Sequence, residues 1–180
     1  DELVQKYKVI HNDMHSGNVM RRKNGGYVLL DFGLSIEGDS VAVSSRRTNG
    51  AIEFKAPEKW DKDIITEQSD IYGFGCILYM MLTGVPPFPA NEPDSFSTQK
   101  KLYEAHKYKT PPAIFAQRKA SFENKFHKPY QQDYPNWLEE MVMKCLAKNP
   151  NDRYLNGKEL HDIFINNYIE YGKTMANGLV

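Results

Sequence analysis

Along this chain the hydrophobic positions change rhythm. Residues 19–22 (Val-Met-Arg-Arg) and 27–30 (Tyr-Val-Leu-Leu) read as two short strands around Lys23-Asn24-Gly25-Gly26, where Asn-Gly is a strong signal for a tight hairpin turn. Residues 1–8 resemble the last turns of a helix, with Leu3, Val4 and Tyr7 on one side, and residues 34–55 lack sustained periodicity and read as a long surface loop. From Ala56 onward the spacing is helical. Ala56-Pro57-Glu58-Lys59-Trp60 opens a short helix, and Ile71 to Leu82 is apolar all round, as expected of a helix buried at the centre of a domain. Ser69 or Asp70 is positioned to cap it, and Gly84 with Pro86-Pro87 ends it. Residues 96–108 form a helix with a weak apolar face, broken by Pro111-Pro112, and the polar stretch 113–135 reads as an irregular surface segment with room for one short helix. Trp137, Leu138, Met141, Val142, Cys145 and Leu146 repeat at helical spacing up to Asn149-Pro150. A last helix starts near Gly157, with Leu160, Ile163, Phe164 and Tyr168 facing inward. The pattern therefore predicts a mostly α unit with one small β-hairpin, and no internal repeat.

Composition narrows this picture without redirecting it. The 180 residues are 41% hydrophobic and 12% aromatic with a net charge of zero, which fits one globular domain or a large part of one. A neutral chain has no overall electrostatic preference for nucleic acid or a membrane surface, so neither is expected as a partner. Cys76 and Cys145 each lie inside an apolar helical pattern and in no metal-binding spacing, which excludes a zinc framework and favours a reducing, cytoplasmic setting. No basic-then-apolar leader opens the chain, and no apolar run reaches the roughly 20 residues that a membrane span needs. The basic residues Arg118, Lys119, Lys125 and Lys128 read as solvated surface, with a docking face for an acidic partner as the sharper alternative.

The chemistry gathers at the hairpin. In an antiparallel pair, the residue entering the first strand and the residue leaving the second lie side by side, so Asn18 and Asp31 can face one point at the open end. An amide carbonyl and a carboxylate suit Mg²⁺, a hard cation that takes oxygen ligands and completes its shell with water and phosphates. Asp13 stands five residues before Asn18.

His11-x-Asp13-(x)4-Asn18, Asp31-Phe32-Gly33, Ala56-Pro57-Glu58, Asp70-Ile-Tyr-Gly-Phe-Gly75 and Leu146-(x)3-Pro150-(x)2-Arg153 resemble, in order and spacing, the C-terminal lobe of eukaryotic-type (Hanks-type) protein kinases. The resemblance covers nearly the whole chain. It implies a catalytic loop at 11–18, an activation segment at 31–58 and a helical subdomain at 59–180. It implies ATP and Mg²⁺ as cofactors and a protein hydroxyl, serine or threonine, as acceptor. Asp13 would accept or orient the proton of the attacking hydroxyl, Asn18 and Asp31 would hold Mg²⁺ against the phosphates, and Met20 would form the floor under the adenine. His11, Phe32 and Asp70 would support the loop from below, and Glu58 with Arg153 would form a buried ion pair.

Three positions depart from that family pattern. Asn12 replaces the Arg that usually precedes the catalytic Asp and anchors a phosphate on the activation loop, so activity is expected not to depend on phosphorylating Ser44, Ser45 or Thr48. His15 stands where serine/threonine kinases carry a Lys near the γ-phosphate, which makes it a catalytic candidate beside Asp13; Ala51 stands where they carry a Thr. No Gly-rich loop, strand Lys or partner Glu helix precedes residue 1, so these 180 residues alone are expected to bind ATP poorly and not to turn over. Two other readings stay open: a pseudokinase or binding scaffold, and a small-molecule phosphotransferase, whose His-x-Asp-x-His pattern is similar.

Overall fold

The structure is a computed structural model that describes residues 9–37, 52–60, 65–90 and 95–177. Everything in it is arranged around one helix, α1 (Glu67–Thr83). Its apolar run has no polar face, so it is stable only when surrounded, and Tyr72, Cys76, Ile77 and Tyr79 are all buried. The cap differs from expectation. Thr66 is the N-cap, and Ser69, three residues on, turns its hydroxyl back to accept the Thr66 N–H at 3.2 Å. Asp70 takes no part in capping, because its carboxylate is directed at the backbone of His11 and Asn12. At the other end Gly84 adopts φ +83°, and its N–H donates to Met80 O at 2.8 Å.

Three further helices close the core. Helices α2 (Phe96–Tyr108) and α3 (Ile114–Phe126) follow α1, and α4 (Asn136–Cys145) packs across it. A Cβ on Gly75 would lie 2.6 Å from Cys145 Cβ, so the glycine is what lets α1 and α4 approach this closely. Phe54, Ala56, Tyr72, Cys76, Ile77, Ile114, Val142 and Leu146 form the main cluster; Ile71, Met141, Cys145, Tyr154 and Leu160 form a second. Each fully buried aliphatic side chain contributes about 1.5–3 kcal/mol. Both cysteines are free and buried, and burial pushes the Cys145 thiol up to about 12.

α3 fills much of the stretch 113–135, whose sequence reads as irregular with room for only a short helix. Its 13 residues are mostly good helix formers, and its N-terminus is satisfied from another element: the Ile114 and Phe115 N–H groups donate to the Glu139 carboxylate at 2.9 and 3.2 Å. Arg118 is not a solvated charge, since it donates to Leu82 O and to Tyr130 Oη and pairs with Asp133. The last helix, α5 (Gly157–Asn177), buries Leu160 and half-buries Ile163. Phe164 and Tyr168, expected inward, are exposed and stack on each other with planes 6° apart, because the helix runs past the edge of the body.

The sheet content is small. Strand β1 (Val9–Ile10) pairs antiparallel with β4 (Ile36–Glu37), and β2 (Val19–Arg21) with β3 (Tyr27–Leu29) in the register Val19–Leu29, Met20–Val28 and Arg21–Tyr27. The hairpin is one residue shorter per strand than its sequence pattern, because the turn begins at Arg22. The expected helix end at residues 1–8, and most of the loop 34–55, lie outside the described residues. Among the described residues no helix is long and apolar enough to cross a membrane.

Candidate functional site

The segment His11 to Asn18 is held from beneath by the start of α1. The Asp70 carboxylate accepts the His11 N–H at 2.6 Å and the Asn12 N–H at 2.9 Å. Burial pushes the Asp70 carboxyl up, and the two amides and Lys59 pull it back toward the charged form. His11 Nε2 lies 2.9 Å from Leu30 O, a pure acceptor, so Nε2 carries the proton and Nδ1 is free to accept the Asp13 N–H at 3.3 Å. The His11 ring also meets Phe32 edge-on at 4.8 Å, which joins the loop to the segment after β3.

Asn12 adopts φ +65°, a left-handed conformation that Asn tolerates better than most side chains. Three elements fix it. Besides the Asp70 bond, Asn12 Nδ2 donates to Leu34 O at 3.0 Å, and Lys59 Nζ donates to Asn12 O at 2.7 Å. Its Oδ1 is buried without a partner.

Asp13 and Asn18 form a clasp. Asn18 is buried, and its Nδ2 donates both to Asp13 O at 2.9 Å and to Asp13 Oδ2 at 3.2 Å. With the amide protons directed at Asp13, the Asn18 oxygen is the atom that remains for a cation. His15 caps the 3₁₀ turn Ser16–Asn18 by accepting the Gly17 N–H on Nδ1 at 3.1 Å, so Nε2 carries the proton and faces Asp13 Oδ2 at 3.5 Å. A Cβ on Gly17 would lie 2.9 Å from the His15 ring, so the ring needs glycine there. Both neighbours use Oδ2 of Asp13, and neither contacts Oδ1.

The hairpin brings up the second carboxylate. The Leu30 N–H donates to Asn18 O at 2.8 Å, so Asp31 follows directly after a residue bonded to Asn18. Asp31 adopts φ +58°, and its Oδ1 accepts the Gly33 N–H at 3.0 Å, leaving an exposed carboxylate with a free oxygen. Met20, on β2 and 48% exposed, lies two residues beyond Asn18. Asp13, His15 and Asn18 are thus in direct contact, Asp31 is joined to them through the hairpin backbone, and Met20 stands at the open edge. The donor set of an amide oxygen and a carboxylate oxygen fits Mg²⁺ chemistry. Among the described residues no group of three or more His, Cys, Asp or Glu side chains is placed to hold a metal ion.

Behind the loop, Glu58 and Arg153 meet in a two-pronged pair with both contacts at 2.8 Å. All five guanidinium donors are used, the others on Gln68 O, Ala147 O and Lys148 O, and Ser69 Oγ donates to Glu58 as well. Burial pushes the Glu58 carboxyl up, but Arg153 outweighs it and holds the group below its ordinary range. Gly73 completes the platform: a Cβ there would sit 2.7 Å from Met14 Cβ and 2.8 Å from Met14 O, so α1 presses directly against the residue after Asp13. Lys59, placed by its sequence only at the opening of a short helix, is a neighbour of the loop that no sequence signal singles out; the fold brings its amine to Asn12 O.

The family model described as "Protein kinase domain" matches residues 2–165. Among curated relatives, the chain is 30% identical over 159 residues to serine/threonine-protein kinase PknB of Mycolicibacterium smegmatis, covering 86% of this chain and 22% of that protein. It is 31% identical over 154 residues to PknB of Mycobacterium leprae, with 84% and 22% covered. A Clostridium perfringens protein named a probable serine/threonine-protein kinase is 27% identical over 160 residues, with 88% and 21% covered. The chain therefore spans about a fifth of the length of these relatives. Its mostly helical body with one small hairpin corresponds to a C-lobe-like part of such a domain. With a match across most of its length, the chain belongs to the protein kinase domain family.

Proposed function

We propose that the protein transfers the γ-phosphate of ATP to serine or threonine hydroxyls of a protein substrate. The observation that supports this reading is the clasp in which Asn18 Nδ2 donates to Asp13 O and Oδ2, which leaves a carboxylate oxygen available to an acceptor and an amide oxygen available to a cation. In this reading residues 11–18 are the catalytic loop, 31–58 the activation segment and 59–180 the helical subdomain.

Asn18 and Asp31 would hold Mg²⁺, which supplies neutralisation of phosphate charge when bound. Asp13 Oδ1 orients the acceptor hydroxyl and takes its proton as the oxygen attacks. A carboxylate suffices for this, because a loose transition state asks for positioning more than for a strong base. His15 keeps Oδ2 occupied through its Nε2–H, so that Oδ1 alone meets the substrate. Met20 offers an apolar surface to the adenine. The names of the relatives support serine and threonine as acceptors, and the two buried free thiols are in keeping with a cytoplasmic setting.

The test uses the full-length protein with γ-labelled ATP, Mg²⁺ and a panel of protein acceptors, followed by identification of the labelled amino acid. Labelled phosphoserine or phosphothreonine that disappears in Asp13→Asn supports the reading. Label that persists in Asp13→Asn, or enters only small-molecule alcohols, overturns it.

A further inference from the structure

The geometry points to Lys59 as a positioning residue for phosphoryl transfer, one that sets the peptide leading into Asp13 from the position directly after the activation segment; this rests on the function proposed above. Lys59 is the last residue of the 3₁₀ turn Pro57–Lys59. Its Nζ donates to Asn12 O at 2.7 Å, across 47 residues of sequence. That carbonyl belongs to the peptide joining Asn12 to Asp13, and the N–H of the same peptide donates to His11 Nδ1. One peptide plane is therefore gripped at both ends, by an ammonium on its oxygen and by an imidazole on its nitrogen. Rotation of that plane would swing the Asp13 side chain, so the two grips fix where the carboxylate points.

The surroundings suit a cation there. Burial lowers the Lys59 pKa, while Asp70 and Asp13 favour its charge, and Lys55 opposes it. A charged donor makes a stronger hydrogen bond to a carbonyl than a neutral one, and does so more effectively away from water. The neighbouring Glu58 turns the opposite way, to Arg153 and Ser69. Two consecutive side chains of one short turn, at the junction of the activation segment and the helical subdomain, thus reach the helical core and the catalytic loop. Asn12 cannot collect a phosphate as a cation would. Its amide instead bonds to Leu34 O, and the positive charge under the loop comes from Lys59. The coupling between activation segment and catalytic loop is in this way built from side chains already present.

The experiment compares Lys59→Met, Lys59→Arg and Asp13→Asn in the full-length protein, with Mg²⁺, γ-labelled ATP and dephosphorylated casein as acceptor, each variant being checked for cooperative melting. Lys59→Met is expected to lower kcat about 20-fold, as a misplacement of less than 1 Å does, with KM for ATP within about twofold. Lys59→Arg, which restores a cationic donor, is expected within about fivefold of wild type. A purely structural lysine would not show this split with rescue. If Lys59→Met does not melt cooperatively, Lys59→Gln takes its place under the same criteria. A kcat within twofold of wild type in the folded neutral variant, or an arginine variant as slow as the neutral one, overturns the inference alone. Casein labelling that survives in Asp13→Asn overturns the phosphotransfer reading beneath it.

Discussion

Replacing Gly73 with alanine tests whether the buried helix sets the geometry of the proposed catalytic loop. The added methyl would meet Met14 Cβ at 2.7 Å and Met14 O at 2.8 Å, where ordinary contact begins at 3.4 Å. One of these partners is backbone, so no side-chain rotation relieves both. Relief needs a displacement of about 0.6 Å in the residue bonded to Asp13, and a misplacement of 1 Å in a reacting group can cost about 100-fold. We expect kcat to fall about 10- to 50-fold. Stability should change much less, because overpacking costs about 1–3 kcal/mol while alanine gains about 1 kcal/mol over glycine in a helix. The assay is steady-state phosphorylation of a protein acceptor by the full-length protein, alongside thermal melting. A folded Gly73→Ala protein with kcat within twofold of wild type would refute the claim that α1 positions the loop.

Three other perturbations follow from the same geometry. Arg153→Met strands the Glu58 carboxylate among buried groups and is expected to cost about 3–5 kcal/mol in denaturant unfolding; a loss below about 1 kcal/mol would contradict a buried pair. His106 is fully buried with Nδ1 bonded to Tyr72 Oη, and burial, aided by the Lys148 charge, lowers its pKa to about 3. The unfolded chain then binds the proton that the folded one refuses, so stability is complete above about pH 6.5 and falls by about 2 kcal/mol by pH 5; His106→Gln should flatten that slope, and an unchanged slope would count against it. With Asn12 preceding Asp13, the combined Ser44→Ala, Ser45→Ala and Thr48→Ala protein should keep its rate within about threefold, and a tenfold loss would show that a phosphate on this loop matters.

What the sequence disclosed depended on how local the signal was. The hairpin was legible because Asn24-Gly25 dictates a turn and two apolar runs flank it, and α1 because twelve consecutive residues carry no solvent face. α3 was not legible. Its start is satisfied by Glu139, 25 residues away in sequence, and its polar composition matches a loop as well as a helix. Strands β1 and β4 are two residues each, too short for any periodicity. At the site, Asp13, Asn18 and Asp31 could be nominated from spacing and resemblance, and Glu58 with Arg153 likewise. Their orientation could not. That Asn18 spends its amide protons on Asp13, that His15 presents Nε2–H, and that Lys59 turns beneath the loop all depend on distances that only the folded chain defines.

The proposed site divides its labour, with Asp13 serving the acceptor hydroxyl and Asn18 with Asp31 serving the metal and nucleotide. Binding of Mn²⁺–ATP to full-length wild type, Asp13→Asn and Asp31→Asn, followed by electron paramagnetic resonance and paired with a transfer assay, tests it most directly. Asp13→Asn is expected to bind the metal–nucleotide complex within about threefold of wild type yet transfer no phosphate, while Asp31→Asn loses both. An Asp31→Asn protein that binds Mn²⁺–ATP normally, or an Asp13→Asn protein that still phosphorylates, would contradict it.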